Sequence, residues 1–155
     1  MRTLPTRRDR GFSFIELMVV LLMIATLVGV ALPYFRNVSS KTAAREAADA
    51  IAALQASARM SAIQRGRSTA LRVPSGTNKA YVTAVKVTSS GIDTVGKVVD
   101  LNEQFGVTVT STSDSIAFSP RGIGNMGSTV TIVVTKGTFK DSLTIAVGGR
   151  LKRSS

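Results

Sequence analysis

Apolar residues run almost unbroken from Phe12 to Leu32, and Leu17 to Phe35 carries no charged side chain. A helix of that length reaches about 30 Å, the thickness of one hydrocarbon core, so the segment predicts a membrane-spanning helix over 12–35. From Lys41 the pattern changes to a helical period. Ala47, Ile51, Leu54, Ala58 and Ala62 share one face, Arg45, Asp49, Arg59 and Arg65 lie largely off it, and Gly66 is a stop signal. An amphipathic helix over 36–66 is therefore expected, its many alanines favouring helix and permitting close packing.

After Gly66 the period shortens again. Valine and threonine dominate, and the alternation predicts strands at Thr69–Val73, Ala80–Thr88, Lys97–Leu101, Val107–Thr110, Ser115–Phe118, Thr129–Thr135 and Ser142–Val147. PSGTNK, SSGID, SPRGIGNMGS and TKGTFKD read as turns. The fold class is α+β: a long N-terminal transmembrane helix continues into an amphipathic helix packed on a C-terminal antiparallel sheet or small sandwich, the β domain covering 67–155. Pro33 sits between the two helical stretches, where it removes one backbone donor and disfavours helix at Leu32, so a bend is expected there.

Charge adds an orientation. The 155-residue chain has a formal net charge of +11 and neither cysteine nor histidine. Disulfides are excluded, and so are zinc or haem sites built on those ligands. The surplus of cations points to nucleic acid, anionic lipid or an acidic protein as partner. Arg2, Arg7, Arg8 and Arg10 against Asp9 leave the first eleven residues at 4 − 1 = +3. A basic flank stays on the cytoplasmic side, which puts the C-terminal domain outside the cytoplasm.

Three readings of the apolar segment compete. It is long for the core of a cleaved secretory signal, and Gly29-Val30-Ala31 is a weak cleavage site. An uncleaved anchor fits its length but not Glu16, since a carboxylate at the centre of a membrane helix costs on the order of 2.5–3.5 kcal/mol and less near an interface. The third reading is a helix whose acid meets a cation inside the membrane.

The short basic leader, Gly11-Phe12, a small residue, two apolar residues, Glu16 and the long apolar helix together resemble the class III signal of type IV pilins and type II secretion pseudopilins. The resemblance implies that a prepilin peptidase removes residues 1–11 by cutting between Gly11 and Phe12. It further implies that Phe12 is N-methylated and that Glu16 pairs with the terminal amine of a neighbouring subunit during filament assembly. Pro33 falls where related pilins carry a helix-kinking proline. The resemblance extends further. ARMSAIQRGRSTALRV, then FSPRGIGNMGSTVTIVV and SLTIAVGGRLKR, are similar to the GspH/FimT group of minor pseudopilins and minor pilins. The partners implied are the peptidase, other pilins or pseudopilins and inner-membrane lipid. The implied location is the inner membrane, single-pass, with the C-terminal domain in the periplasm and incorporation into a pilus or pseudopilus.

Other motifs carry less. Gly122 to Gly127 spells GxGxxG, but the STVTIVVT that follows is a poor helix, so the loop reads as a flexible connection between strands. No carboxylate pair has catalytic spacing, no cofactor or metal is expected, and the chain reads as no enzyme. The tail GGRLKRSS supports an alternative function. Some FimT-like pilins that serve DNA uptake end in Gly-Arg-x-Arg. Here Gly149-Arg150-Leu151-Lys152 is followed by Arg153, with lysine lacking the bidentate fork of the second arginine. The alternative is thus a DNA-binding minor pilin for natural transformation using Arg150, Lys152 and Arg153, with DNA as partner. A plain membrane-anchored sensor is a third possibility, and it predicts no cleavage after Gly11.

Overall fold

The structure, a computed structural model, describes residues 12–86 and 91–154. The leader 1–11, including Gly11, lies outside the described residues, as do the end of the expected strand Ala80–Thr88 and part of the expected turn SSGID.

One α-helix, α1, covers Phe14–Arg65, with Pro33 inside it. The chain divides by its internal contacts into two units, one ending at Val38 and the other running from Ser39 to Ser155. In the first, every residue from Phe12 on is exposed. In the second, α1 buries Ala44, Ala47, Ala48, Ile51, Gln55, Ala58 and Ala62. Four of these, Ala47, Ile51, Ala58 and Ala62, are on the expected apolar face, and Leu54 packs against it half-buried. Alanine at most contact positions lets the helix lie close to β-branched side chains, and Ile51 supplies the bulk.

The β part of the second unit holds two four-stranded antiparallel sheets. The first has the order β3 (Ile92–Asp100), β2 (Lys79–Val85), β1 (Thr69–Arg72), β5 (Ser115–Phe118), and the second β4 (Thr108–Ser111), β6 (Val130–Lys136), β7 (Phe139–Ile145), β8 (Leu151–Ser154). Alternation fills the core. Leu71, Val82, Ile116 and Phe118 from the first sheet join Ile132, Val134, Leu143 and Ile145 from the second in one cluster with the α1 alanines. Where β1 leaves the helix, the Thr69 hydroxyl donates to the Ala58 carbonyl at 2.6 Å, so this buried oxygen has a partner.

Of the differences from the sequence expectation, three have a clear local reason. Strand β3 begins at Ile92 rather than Lys97. Its pairing skips from Val99 to Val95 while β2 moves from Ala80 to Val82, a bulge containing Gly96 at φ +81° that breaks the alternation. Leu101–Phe105 is a short helix, α2, instead of a strand end. Asp100 caps it by accepting from the Asn102 and Glu103 amides, and Gly106 ends it in a left-handed conformation. In the third case, the basic tail is a strand: β8 pairs with β7 from Ile145↔Leu151 to Ser142↔Ser154.

Pairing β8 with β7 decides which way its side chains point. Arg153 lies opposite Leu143, so it shares the inward face with Leu143 and Asp141. Asp141 is 3% exposed. Its Oδ2 accepts from Arg153 Nε at 2.9 Å and also from Arg153 Nη2. Arg153 Nη1 reaches Asp49 on α1 at 2.6 Å. These contacts raise the Arg153 pKa further, the Asp141 hydrogen bond most strongly and against the effect of burial. One guanidinium thus joins β8, β7 and α1.

A second junction involves glycines. The loop after β5 turns back so that Gly124 donates to the Gly148 carbonyl at 3.1 Å and Asn125 to the Ala117 carbonyl at 2.9 Å. A Cβ on Gly124 would lie 2.5 Å from both the Gly149 nitrogen and the Val147 oxygen. The Gly149 carbonyl accepts from Gln55 Nε2 of α1 at 2.9 Å in a buried position.

Two stability predictions follow from these junctions, both read from urea unfolding. Gly124→Ala meets backbone on two sides and is expected to destabilise by about 2–3 kcal/mol, whereas Gly127→Ala in the same loop, with open space around it, changes stability by less than about 0.5 kcal/mol. Arg153→Ala leaves the Asp141 carboxylate buried without its cation and is expected to cost about 3 kcal/mol. The double change Asp141→Leu with Arg153→Met recovers most of that loss.

Candidate assembly site

The N-terminal end of α1 is where the sequence places its most unusual residue. The Ser13 carbonyl accepts the first intrahelical bond, from the Leu17 amide at 3.2 Å, so Ser13 occupies the cap position. Glu16 follows three residues later, in the first turn. Ser-x-x-Glu is the capping-box spacing, and an acid here also meets the positive end of the helix dipole. Among the described residues Glu16 makes no ion pair. Phe12 stands just before the helix, 82% exposed.

Beyond Glu16 the helix is an apolar cylinder. Leu17, Met18, Val19, Val20, Leu21 and Leu22 are all about half exposed or more, and the same holds through Phe35. Its length and composition suit a bilayer span, and none of its most apolar stretch is buried within the chain. Such a surface is tolerated only against lipid or other apolar helices. The arrangement is chemically simple: one carboxylate at the start of a long apolar rod, next to the residue whose nitrogen would become a chain terminus if residues 1–11 were removed.

The tail residues separate into two kinds. Arg150 and Lys152 face solvent, whereas Arg153 is held by Asp141 and Asp49. The signal for this was the parity of Leu151 and Arg153 in the tail with Asp141, Leu143 and Ile145 in the preceding strand. Reading GGRLKRSS as a basic tail concealed it. Lys152 lies opposite Thr144 on the other face.

The GxGxxG loop is not a phosphate cradle. It joins strand β5 to strand β6, so no helix N-terminus follows it. Nor is it the flexible connection expected, since its backbone is bonded to β5 and to the β7–β8 turn. Gly122 sits against α1, where a Cβ would meet Ile63 at 2.7 Å. Elsewhere, the Asp114 carboxyl is held below its usual pKa, chiefly by the Ser75 amide and then by the Ser75 hydroxyl, bonds that tie two surface turns together. Among the described residues no cluster of acidic side chains could hold a metal ion.

Known proteins share this architecture. The type IV minor pilin FimU of Pseudomonas aeruginosa PAO1 superposes with a TM-score of 0.56 at 17% identity, over 72% of this chain and 92% of that one. The minor pseudopilin EpsH from the type 2 secretion system of Vibrio cholerae gives 0.54 at 13% identity, over 76% of this chain and 97% of that one. These likenesses show the fold, α+β with a long helix and antiparallel sheets. No curated protein matches the sequence. Residues 6–32 match the prokaryotic N-terminal methylation motif, and residues 47–149 match the model of type II transport protein GspH. With more than half of its length on that model, the chain belongs to the GspH family of type II transport proteins.

Proposed function

We propose that the chain is a minor pseudopilin or minor pilin, a structural subunit that enters a pseudopilus or pilus through α1. The observation that carries this is the union of two parts: a methylation motif over 6–32 on an exposed apolar helix, and a GspH body over 47–149. In this reading a prepilin peptidase cuts between Gly11 and Phe12 on the cytoplasmic side, where the basic leader remains. The folded unit lies in the periplasm. Phe12 becomes the methylated N-terminus, and its amine supplies the cation that Glu16 lacks within its own chain. In lipid, a charge that finds its counter-charge only on a second helix favours lateral assembly over isolation. Pro33 permits α1 to bend as helices pack against one another.

The Ser-x-x-Glu spacing at Ser13 and Glu16 sets the right comparison. Glutamine suits a capping box as glutamate does and removes the charge. Both Glu16→Ala and Glu16→Gln are therefore expected to insert, to be cleaved, and to enter filaments on the order of tenfold less well or worse, by cross-linking to neighbouring subunits. Normal entry of the glutamine variant would show that the charge is not needed and would end the pairing assignment. Intact mass after co-expression with a prepilin peptidase checks the earlier step: the expected product begins at Phe12 and carries one methyl group.

A further inference from the structure

In the folded unit a cavity of about 260 Å³ opens beside α1, lined by Lys41, Ala44, Arg45, Phe139, Lys140 and Asp141. Lys41 and Arg45 are one turn apart on the helix and so project on one side. Lys140 and Phe139 come from the start of β7, immediately after the two-residue turn Gly137-Thr138. All three cations are exposed, and among the described residues none of them makes an ion pair. The one carboxylate in the wall, Asp141, gives its Oδ2 to Arg153, while its Oδ1 is buried without a hydrogen-bond partner. The cavity presents three cations, outnumbering its one carboxylate, around a small apolar floor formed by Ala44, with the half-buried Phe139 at its side. An anion with several oxygens is the ligand such a site takes, because each ammonium and the guanidinium can donate to a different oxygen.

Position along the chain selects among the anions. Lys41 follows Leu32 by only nine residues, so even a fully extended connection holds it within about 30 Å of the end of the apolar segment. A membrane carrying that segment keeps headgroup phosphates tethered within about that distance of Lys41, which raises their effective concentration above that of free phosphate. We propose that this cavity binds the phosphate of an anionic membrane lipid and so holds the folded unit to the bilayer surface before the subunit enters a filament. The proposal rests on the reading that α1 spans a membrane.

The test uses the full chain in nanodiscs, either of phosphatidylcholine alone or enriched in phosphatidylglycerol. Recovery of the chain in discs is scored first, since failure there overturns the membrane reading itself. Amide exchange around Lys41–Arg45 and Phe139–Asp141 is then compared. Several-fold slower exchange with phosphatidylglycerol is expected, abolished by high salt and by the combined Lys41→Ala, Arg45→Ala and Lys140→Ala variant. Each single substitution is expected to weaken the effect about fivefold. Arg150→Ala with Lys152→Ala, at cations outside the cavity, leaves it unchanged. Equal exchange in the two lipids overturns the proposal. So does protection in phosphatidylcholine discs produced by added inorganic phosphate alone, which would make the cavity a soluble-phosphate site. Protection there by a short DNA duplex, with none from phosphatidylglycerol, would make this face a nucleic-acid surface and overturn it likewise.

Discussion

The close approach of Gly124 to Gly149 joins the parts of the folded unit. The two sheets share no ladder; each pairs only within itself. Besides the shared core, they are joined where two backbones touch. The loop leaving the first sheet donates from Gly124 to Gly148, in the turn between β7 and β8 of the second sheet. Gln55 of α1 closes the third side by donating to Gly149. A side chain at either glycine would separate these backbones, because Gly149 also lies against the Phe118 ring, where a Cβ would come within 2.9 Å. Helix, first sheet and second sheet therefore meet at hydrogen bonds that require the absence of Cβ atoms. This gives a physical content to a pattern visible in the chain: a phenylalanine, a glycine loop, two strands, then Gly-Arg.

How much of this was legible depended on whether the information was local. The membrane-length helix, the apolar face at Ala47, Ile51, Ala58 and Ala62, and strand β5 were readable because each follows a regular period over its own residues. The class III signal was readable because its residues are adjacent. Elements were lost where a local irregularity interrupts the period. The bulge at Gly96 hid half of β3, and the cap at Asp100 was overlooked beneath a run of valines. Tertiary partners were not legible at all. Nothing in the sequence near Gln55 announces Gly149, ninety-four residues away. Arg153 is the instructive case. As part of a tail it looked like one of three equivalent cations, and only the pairing of β8 with β7 turned it inward to Asp141.

That inward turn changes how the net charge should be read. A surplus of +11 looks like a single property, yet the structure assigns the cations to different work. Arg153 neutralises a buried acid and braces a strand edge, a position where an inward charge also discourages pairing with another chain. Lys136 donates to the Phe105 carbonyl at 2.5 Å, satisfying the last turn of α2. Lys79 lies 4.0 Å from Asp100 across β2 and β3, an exposed contact of little energetic weight. After such internal uses are set aside, Lys41, Arg45 and Lys140 stand out because they surround one space.

The distribution of charge also bears on Glu16. From Leu17 to Phe35 no side chain in α1 can compensate it, and the basic residues resume only at Arg36. At 1.5 Å per residue Arg36 lies about 30 Å along the helix from Glu16, so it offers no useful attraction across that distance. The first-turn amides ease the carboxylate only in part, since their combined effect amounts to about half a charge at a helix end. On the proposed reading, a full counter-charge comes from outside the helix, from a newly made amine at Phe12. On its own chain that amine sits too near the helix start to hold two subunits together, whereas on a neighbour it couples neutralisation to assembly. On that reading, the acid that is costly in an isolated helix becomes a reason for two helices to associate.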